Sequence, residues 1–232
     1  MRNFSLLSAM SGVLLAFALQ VKAAPIQLAG VVPGTMITKK VLSMRELRFE
    51  NLIEQQTDFS CGAASLATIL KYAYGYTDAT EEAVLEGLMQ VTDPEQVRNL
   101  GFSLLDLSHY VERMGLRGRG YEIGAEALEE VSIPVIVLLN LDGYEHFVIM
   151  QKARGDRVYI GDPALGNKVM PRDEFADSWN NIIFAVVGDG FDPSTVLLDP
   201  AQPLTARRLT DVFSPVPPQQ LLDFGFRHAE VF

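Results

Sequence analysis

The chain has 232 residues, 48% of them hydrophobic, and carries 19 basic and 29 acidic side chains for a net charge of −10. That length supports one domain with a sizeable core plus appended segments, and that apolar content excludes wholesale disorder. The acidic balance disfavours nucleic acid and anionic lipid surfaces as partners.

The N-terminus differs from the rest. Met1-Arg2-Asn3 is a short basic start, Phe4 to Leu19 carries no charge, and Val21-Lys22-Ala23 places small residues where a signal peptidase reads. Residues 1–23 therefore read as a cleaved signal peptide, which implies a periplasmic address. The alternative is an uncleaved anchor, for which the apolar run is short. Cleavage would remove Arg2 and Lys22 and no acid, leaving 17 basic against 29 acidic residues, a balance of −12. Residues 24–49 read as an N-terminal arm, opening on an irregular stretch with Pro25, Pro33 and Gly34. The string "VLSMRELRFENLIEQQ" that follows mixes apolar and charged positions and fits strand or helix.

"CGAASLATILKYAY" predicts a helix over 61–74, because its residues are small or apolar and helix-compatible and Gly75 stands at the terminating position. Its first residue is Cys61, the single cysteine of the chain. An exported chain with one Cys forms no internal disulfide, so the thiol is buried and inert, paired with another molecule, or kept for chemistry. The first turn of a helix, with its unpaired N–H groups and positive dipole end, favours a nucleophilic thiolate. The plainer reading is a small core hydrophobe. Zinc is disfavoured, since His109, His146 and His228 are scattered with no companion Cys, and no metal or cofactor is expected.

Thr80 caps a second predicted helix running to about Gln90, with Glu81 and Glu82 in its first turn. Ser103 and Asp106 resemble a capping box, and Leu104, Leu107, Val111 and Met114 form one face of a helix ended by Gly115. His109 points away from that stripe and reads as a solvated residue. A short strand over 119–123 and a short helix over 125–130 follow. Then the period changes: "IPVIVLLN", "EHFVIMQKA" and "DRVYIGD" are apolar, β-branched runs separated by the turn signals "LDGY" and "RG". A strand over 167–170, a helix opened by Pro171 and a last strand in "NIIFAVVG" complete the pattern. Helices first and a strand meander afterwards predict an α+β fold with N-terminal helices packed on an antiparallel sheet. Residues 189–232 form a proline-rich C-terminal extension whose apolar residues, Leu204, Leu209, Phe213 and Phe224 among them, are too many for a solvated linker.

His146 opens one strand, placed to protrude at a sheet edge, and Asp162 ends the next. A hairpin turning at 154–156 makes those ends neighbours, so the carboxylate can hold one ring nitrogen while the other faces Cys61. Each residue alone has a plain reading, His146 as a core or rim histidine and Asp162 as a turn residue before Pro163. Their joint order is more telling.

Cys-helix, His-strand and Asp-strand, in that order, resemble the papain-like cysteine peptidases. Gln55 six residues before Cys61, "CGAASL", "HFVIM" and "GDPA" are similar to the C39 peptidases that trim double-glycine leaders. The resemblance covers residues 50–188 and implies a papain-like fold, with Cys61 as nucleophile, His146 as base and acid, Asp162 as orienting carboxylate and Gln55 as oxyanion donor. Ser60 stands where many transporter-borne members carry Asp, and their membrane and ATPase domains have no counterpart in these residues, so no ATP is expected. "QQTDFSCGAASLATIL" further resembles the free-standing periplasmic C39-like proteins of functional-amyloid secretion systems. That resemblance implies a secreted peptide or protein substrate, amyloid subunits and outer-membrane secretion components as partners, and a role in amyloid or biofilm assembly. The alternatives are a non-catalytic module that keeps the cleft to escort a secreted substrate, and a cell-wall amidase, to which the Gln55 spacing and "CGAAS" fit less well.

Overall fold

The computed structural model describes residues 26–28, 37–39, 42–92, 95, 97, 101–141 and 143–200. The expected signal peptide and the tail beyond residue 200 lie outside them. The chain divides into two compact units, Met1–Ser43 and Met44–Phe232. In the first, β1 (Ile26–Leu28) and β2 (Ile37–Lys39) form an antiparallel ribbon, so the arm read as irregular contains two short strands.

The second unit begins with α1 (Met44–Arg48), which resolves the ambiguous string into a short helix followed by a turn and irregular chain. Three longer helices follow: α2 (Cys61–Tyr74), α3 (Glu81–Met89) and α4 (Leu104–Arg113). Gly75 ends α2 in the left-handed conformation at φ 73, returning its N–H to the Leu70 carbonyl. Thr80 caps α3 by accepting from the Ala83 N–H, and Ser103 and Asp106 form the reciprocal capping box of α4.

Six strands then build one antiparallel sheet in the order β3-β8-β4-β5-β6-β7. They are β3 (Arg117–Glu122), β4 (Val135–Leu141), β5 (Tyr144–Arg154), β6 (Arg157–Asp162), β7 (Gly166–Pro171) and β8 (Trp179–Val187). A 3-10 helix, Ala125–Glu130, precedes β4, and α5 (Arg172–Ser178) precedes β8. Two residues separate Leu141 from its partner Tyr144, and two separate Arg154 from Arg157. Gly143 (φ 90) and Gly155 (φ 60) supply the left-handed backbone those tight turns need.

The sheet is buried on both faces. On one, α2, α3 and α4 cover Ile136, Phe147, Ile149, Phe184 and Val186. On the other, Leu128, Phe175 and Trp179 cover Val137, Val148, Met150, Ile160 and Ile183. Two covered faces are the reason β4 and β5 read as continuous apolar runs rather than alternating ones. α2 is the central helix, with eleven of its fourteen residues buried. The fully buried Leu66, Ile69 and Leu70 each contribute about 1.5–3 kcal/mol of hydrophobic stabilisation. Beyond Gly188 the chain keeps packing on this unit: Asp192 N–H donates to the Ala73 carbonyl, Thr195 Oγ1 to the Tyr72 carbonyl, and Leu197 is buried beside α2.

Candidate active site

Cys61 is the first residue of α2, and the approach of that helix to β5 is set by its neighbours. Gly62 lies under the Phe147 ring, where an added Cβ would come within 3.3 Å of Phe147 Cδ2. Ser65 Oγ, one turn on, donates to the Phe147 carbonyl at 3.3 Å. The start of α2 is thus fastened to the residue after His146. Ser60, at the N-cap, does not cap the helix. Its hydroxyl turns back instead, donating to the Thr57 carbonyl at 2.7 Å and accepting from the Thr57 N–H at 3.3 Å. The first-turn N–H groups of α2 therefore lack a side-chain cap and face the site at the positive end of the helix dipole.

His146 lies on β5, an interior strand between β4 and β6, and is 3% exposed. The expectation that it protrudes at a sheet edge is corrected: it lies near the beginning of a central strand, past the point where β5–β6 pairing ends at Ile149 and Gly161. There β6 gives way to the Asp162-Pro163 turn, which sets the Asp162 carboxylate beside the imidazole. His146 Nε2 is 2.8 Å from Asp162 Oδ1. Nδ1 is buried and has no hydrogen-bond partner. Cys61 interacts with the same ring electrostatically, and short of a directed hydrogen bond Nδ1 is the nitrogen left for it. Burial alone would push the ring's pKa down, but the Asp162 hydrogen bond and the charge attraction of Asp162 and Cys61 prevail and raise it to about 9.

Asp162 is fully buried and accepts four hydrogen bonds. Oδ1 takes His146 Nε2 and the N–H groups of Ala164 (2.9 Å) and Leu165 (3.1 Å). Oδ2 takes Lys168 Nζ at 2.9 Å. Asp162 thus caps its own turn and at the same time bonds the histidine ring. Burial favours its neutral form, yet the His146 hydrogen bond and the Lys168 charge bring its pKa down to about 2.

Gln55 is tied to the same loop, its main-chain N–H donating to the Pro163 carbonyl at 2.9 Å. Its side-chain Nε2 donates to the Thr57 carbonyl at 3.2 Å, and Oε1 is buried without a partner. The unpartnered His146 Nδ1 sits where a bond would be made in a reaction rather than at rest, whereas the Gln55 donor, Nε2, rests on the Thr57 carbonyl. The structure thus pairs His146 with Asp162, sets Cys61 against the same ring and ties the Gln55 backbone to Pro163 of the Asp162 turn, while His109 is exposed on α4.

Three contributors went unread in the sequence. Glu81, read there as a helix-dipole acid, is 3% exposed and accepts from the Gln56 N–H at 2.8 Å, anchoring the Gln55 loop. Tyr144 stacks on the His146 ring with centroids 5.9 Å apart and donates its hydroxyl to the Asp58 carbonyl at 3.1 Å. Lys168 pairs with Asp162 diagonally across the β6–β7 hairpin, a contact foreshadowed only by the tight "DPALG" turn.

A profile of the C39 peptidase family matches residues 50–189. The chain is similar to the probable functional amyloid protease FapD of Pseudomonas fluorescens, 53% identical over 199 residues that cover 86% of this chain and 88% of the relative. It is 52% identical, over the same shares, to the probable functional amyloid protease FapD of Pseudomonas aeruginosa. Among solved structures it is similar to the peptidase domain of Streptococcus ComA, a bi-functional ABC transporter involved in a quorum sensing pathway. That likeness has a TM-score of 0.49 and 18% identity, over 60% of this chain and 98% of that one. The chain therefore belongs to the C39 peptidase family and is a cysteine peptidase.

Proposed function

We propose that this peptidase is exported to the periplasm and cleaves a peptide bond in a secreted protein that serves amyloid assembly. The signal-peptide pattern over 1–23 supports the address, and the amyloid proteases to which the chain is similar support the substrate class. One observation carries the chemistry: His146 is anchored through Nε2 to Asp162 while its buried Nδ1 stays unpartnered on the Cys61 side.

The Cys61 thiolate attacks the carbonyl carbon of the scissile peptide, and the developing oxyanion is held by the first-turn N–H groups of α2 and the Gln55 amide. His146, charged at neutral pH, gives its Nδ1 proton to the leaving amine as the C–N bond breaks. A thioester forms on Cys61. Water, deprotonated by the now neutral imidazole, attacks the thioester, the acid product leaves and the thiolate–imidazolium pair is restored.

The test is to incubate the chain lacking residues 1–23 with purified secreted amyloid subunits and read products by mass spectrometry. Discrete cleavage is expected with the parent and none with Cys61→Ala. Equal cleavage by both proteins would reject the mechanism. Iodoacetamide labelling serves without a substrate: Cys61 should react rapidly at pH 7 in the parent and slowly in His146→Ala, and a thiol inert in the parent refutes the reading.

A further inference from the structure

We propose that Lys168 is a positioning residue of this site, which cancels the charge of Asp162 so that the carboxylate aligns His146 without locking it in its protonated form. The inference rests on the peptidase reading above and concerns a residue that no motif of the chain singles out.

The geometry is specific. Asp162 offers two oxygens, and they are divided: Oδ1 serves the imidazole and the Ala164 and Leu165 N–H groups, whereas Oδ2 serves Lys168 Nζ at 2.9 Å. Asp162 is fully buried, and the Lys168 side chain is 25% exposed, so the contact is largely shielded from solvent. Lys168 reaches it from β7, where it faces Ile160 while Asp162 faces Gly166, so the two lie on the same face of the hairpin as diagonal neighbours. The turn that makes this possible needs Gly166: at φ 87, an added Cβ would meet the Arg48 carbonyl oxygen at 2.6 Å.

The chemical need is equally specific. An imidazolium must release its proton to the leaving amine, and its efficiency falls as its pKa climbs above the working pH. A buried, unopposed carboxylate at 2.8 Å, added to a thiolate on the other side, would hold that proton too tightly. A cation on the far oxygen leaves the hydrogen-bond acceptor in place and removes most of its net charge. The other groups facing the ring do not do this: Cys61 from α2 pulls the same way as Asp162, and Tyr144 on β5 is a neutral hydroxyl bonded to the Asp58 carbonyl. His146 is raised to about 9 even with Lys168 in place.

The experiment is an NMR titration of the His146 ring from pH 5 to 11 in the parent, Lys168→Met, Lys168→Gln and Lys168→Arg. Loss of the cation should move the upper titration step up by about 1 pH unit in Met and Gln, as expected for a charge a few ångströms away, and Arg should restore the parent value. Gln keeps a donor without charge, so a Gln variant that titrates like the parent would mean Lys168 acts only as a hydrogen-bond donor and would overturn the inference. It also carries the test if Met fails to fold. Unchanged titration in both neutral variants would overturn it too. Because NMR reads the ring directly, an unreactive Cys61 would refute the peptidase mechanism separately and leave this result to stand or fall alone.

Discussion

Acidification should erase a stabilisation that resides in one buried carboxylate. Asp162 ionises at about 2 in the folded chain against an ordinary 3.8. A folded value below the unfolded one means the unfolded state binds more protons, so the stabilisation is full above the unfolded value and is lost as pH falls through the folded one. At about 1.4 kcal/mol per pH unit the gap corresponds to about 2 kcal/mol at pH 5, with about half gone by pH 3. No exposure discount applies, because Asp162 is fully buried. His146, raised to about 9, stays charged throughout this range, so the partner does not titrate in the same window. The assay is urea unfolding of the parent and of Asp162→Asn between pH 5 and 3, followed by fluorescence of Trp179, which is buried at 5% exposure. The difference in unfolding free energy between the two proteins should shrink by about 1 kcal/mol over that interval. A difference that stays constant would refute the assignment of that stabilisation to the Asp162 charge.

Tyr144→Phe removes the hydroxyl contact to Asp58 and keeps the stacked ring. Losing a bond worth about 1 kcal/mol should free the ring to swing off the dyad and speed iodoacetamide labelling of Cys61 about fivefold; an unchanged rate would mean the contact does not control access. Leu70→Ala, at a fully buried position of α2, should cost about 2–5 kcal/mol in urea unfolding, and a loss under 1 kcal/mol would contradict the packing described. Asn167→Ala breaks bonds to Gln151 and to the Arg48 and Glu50 carbonyls that hold the segment leading to Gln55. It should destabilise by about 2–3 kcal/mol and lower kcat/KM on whichever peptide substrate the cleavage assay identifies, whereas parent-like values would remove Asn167 from the scaffold of the site.

Much of this protein is written locally in its chain. The helix at Cys61 ends where Gly75 demands it, the capping box at Ser103 and Asp106 forms as spelled, and the turns at Gly143 and Gly155 deliver the hairpins that bring His146 and Asp162 together. Those features are legible because capping, left-handed backbone and apolar runs depend on residues only a few positions apart. Ordering of the strands was not. β8 inserts between β3 and β4 although Trp179 begins it only long after Leu141 ends β4, and nothing local in "NIIFAVVG" tells which neighbours it will take. Burial of both sheet faces erased the alternation that would have shown which side of β4 and β5 meets α2. The same limit governs the site. Sequence order pointed to Cys61, His146 and Asp162, since each sits near the end of a recognisable element. Only the folded chain set Lys168 against the far oxygen of Asp162, laid Tyr144 over the ring and turned Glu81 inward to hold the Gln55 loop. Those three act through charge and hydrogen bonds between segments distant in the chain or across a tight hairpin, and such contacts exist only once the hydrophobic core has brought their backbones within a few ångströms.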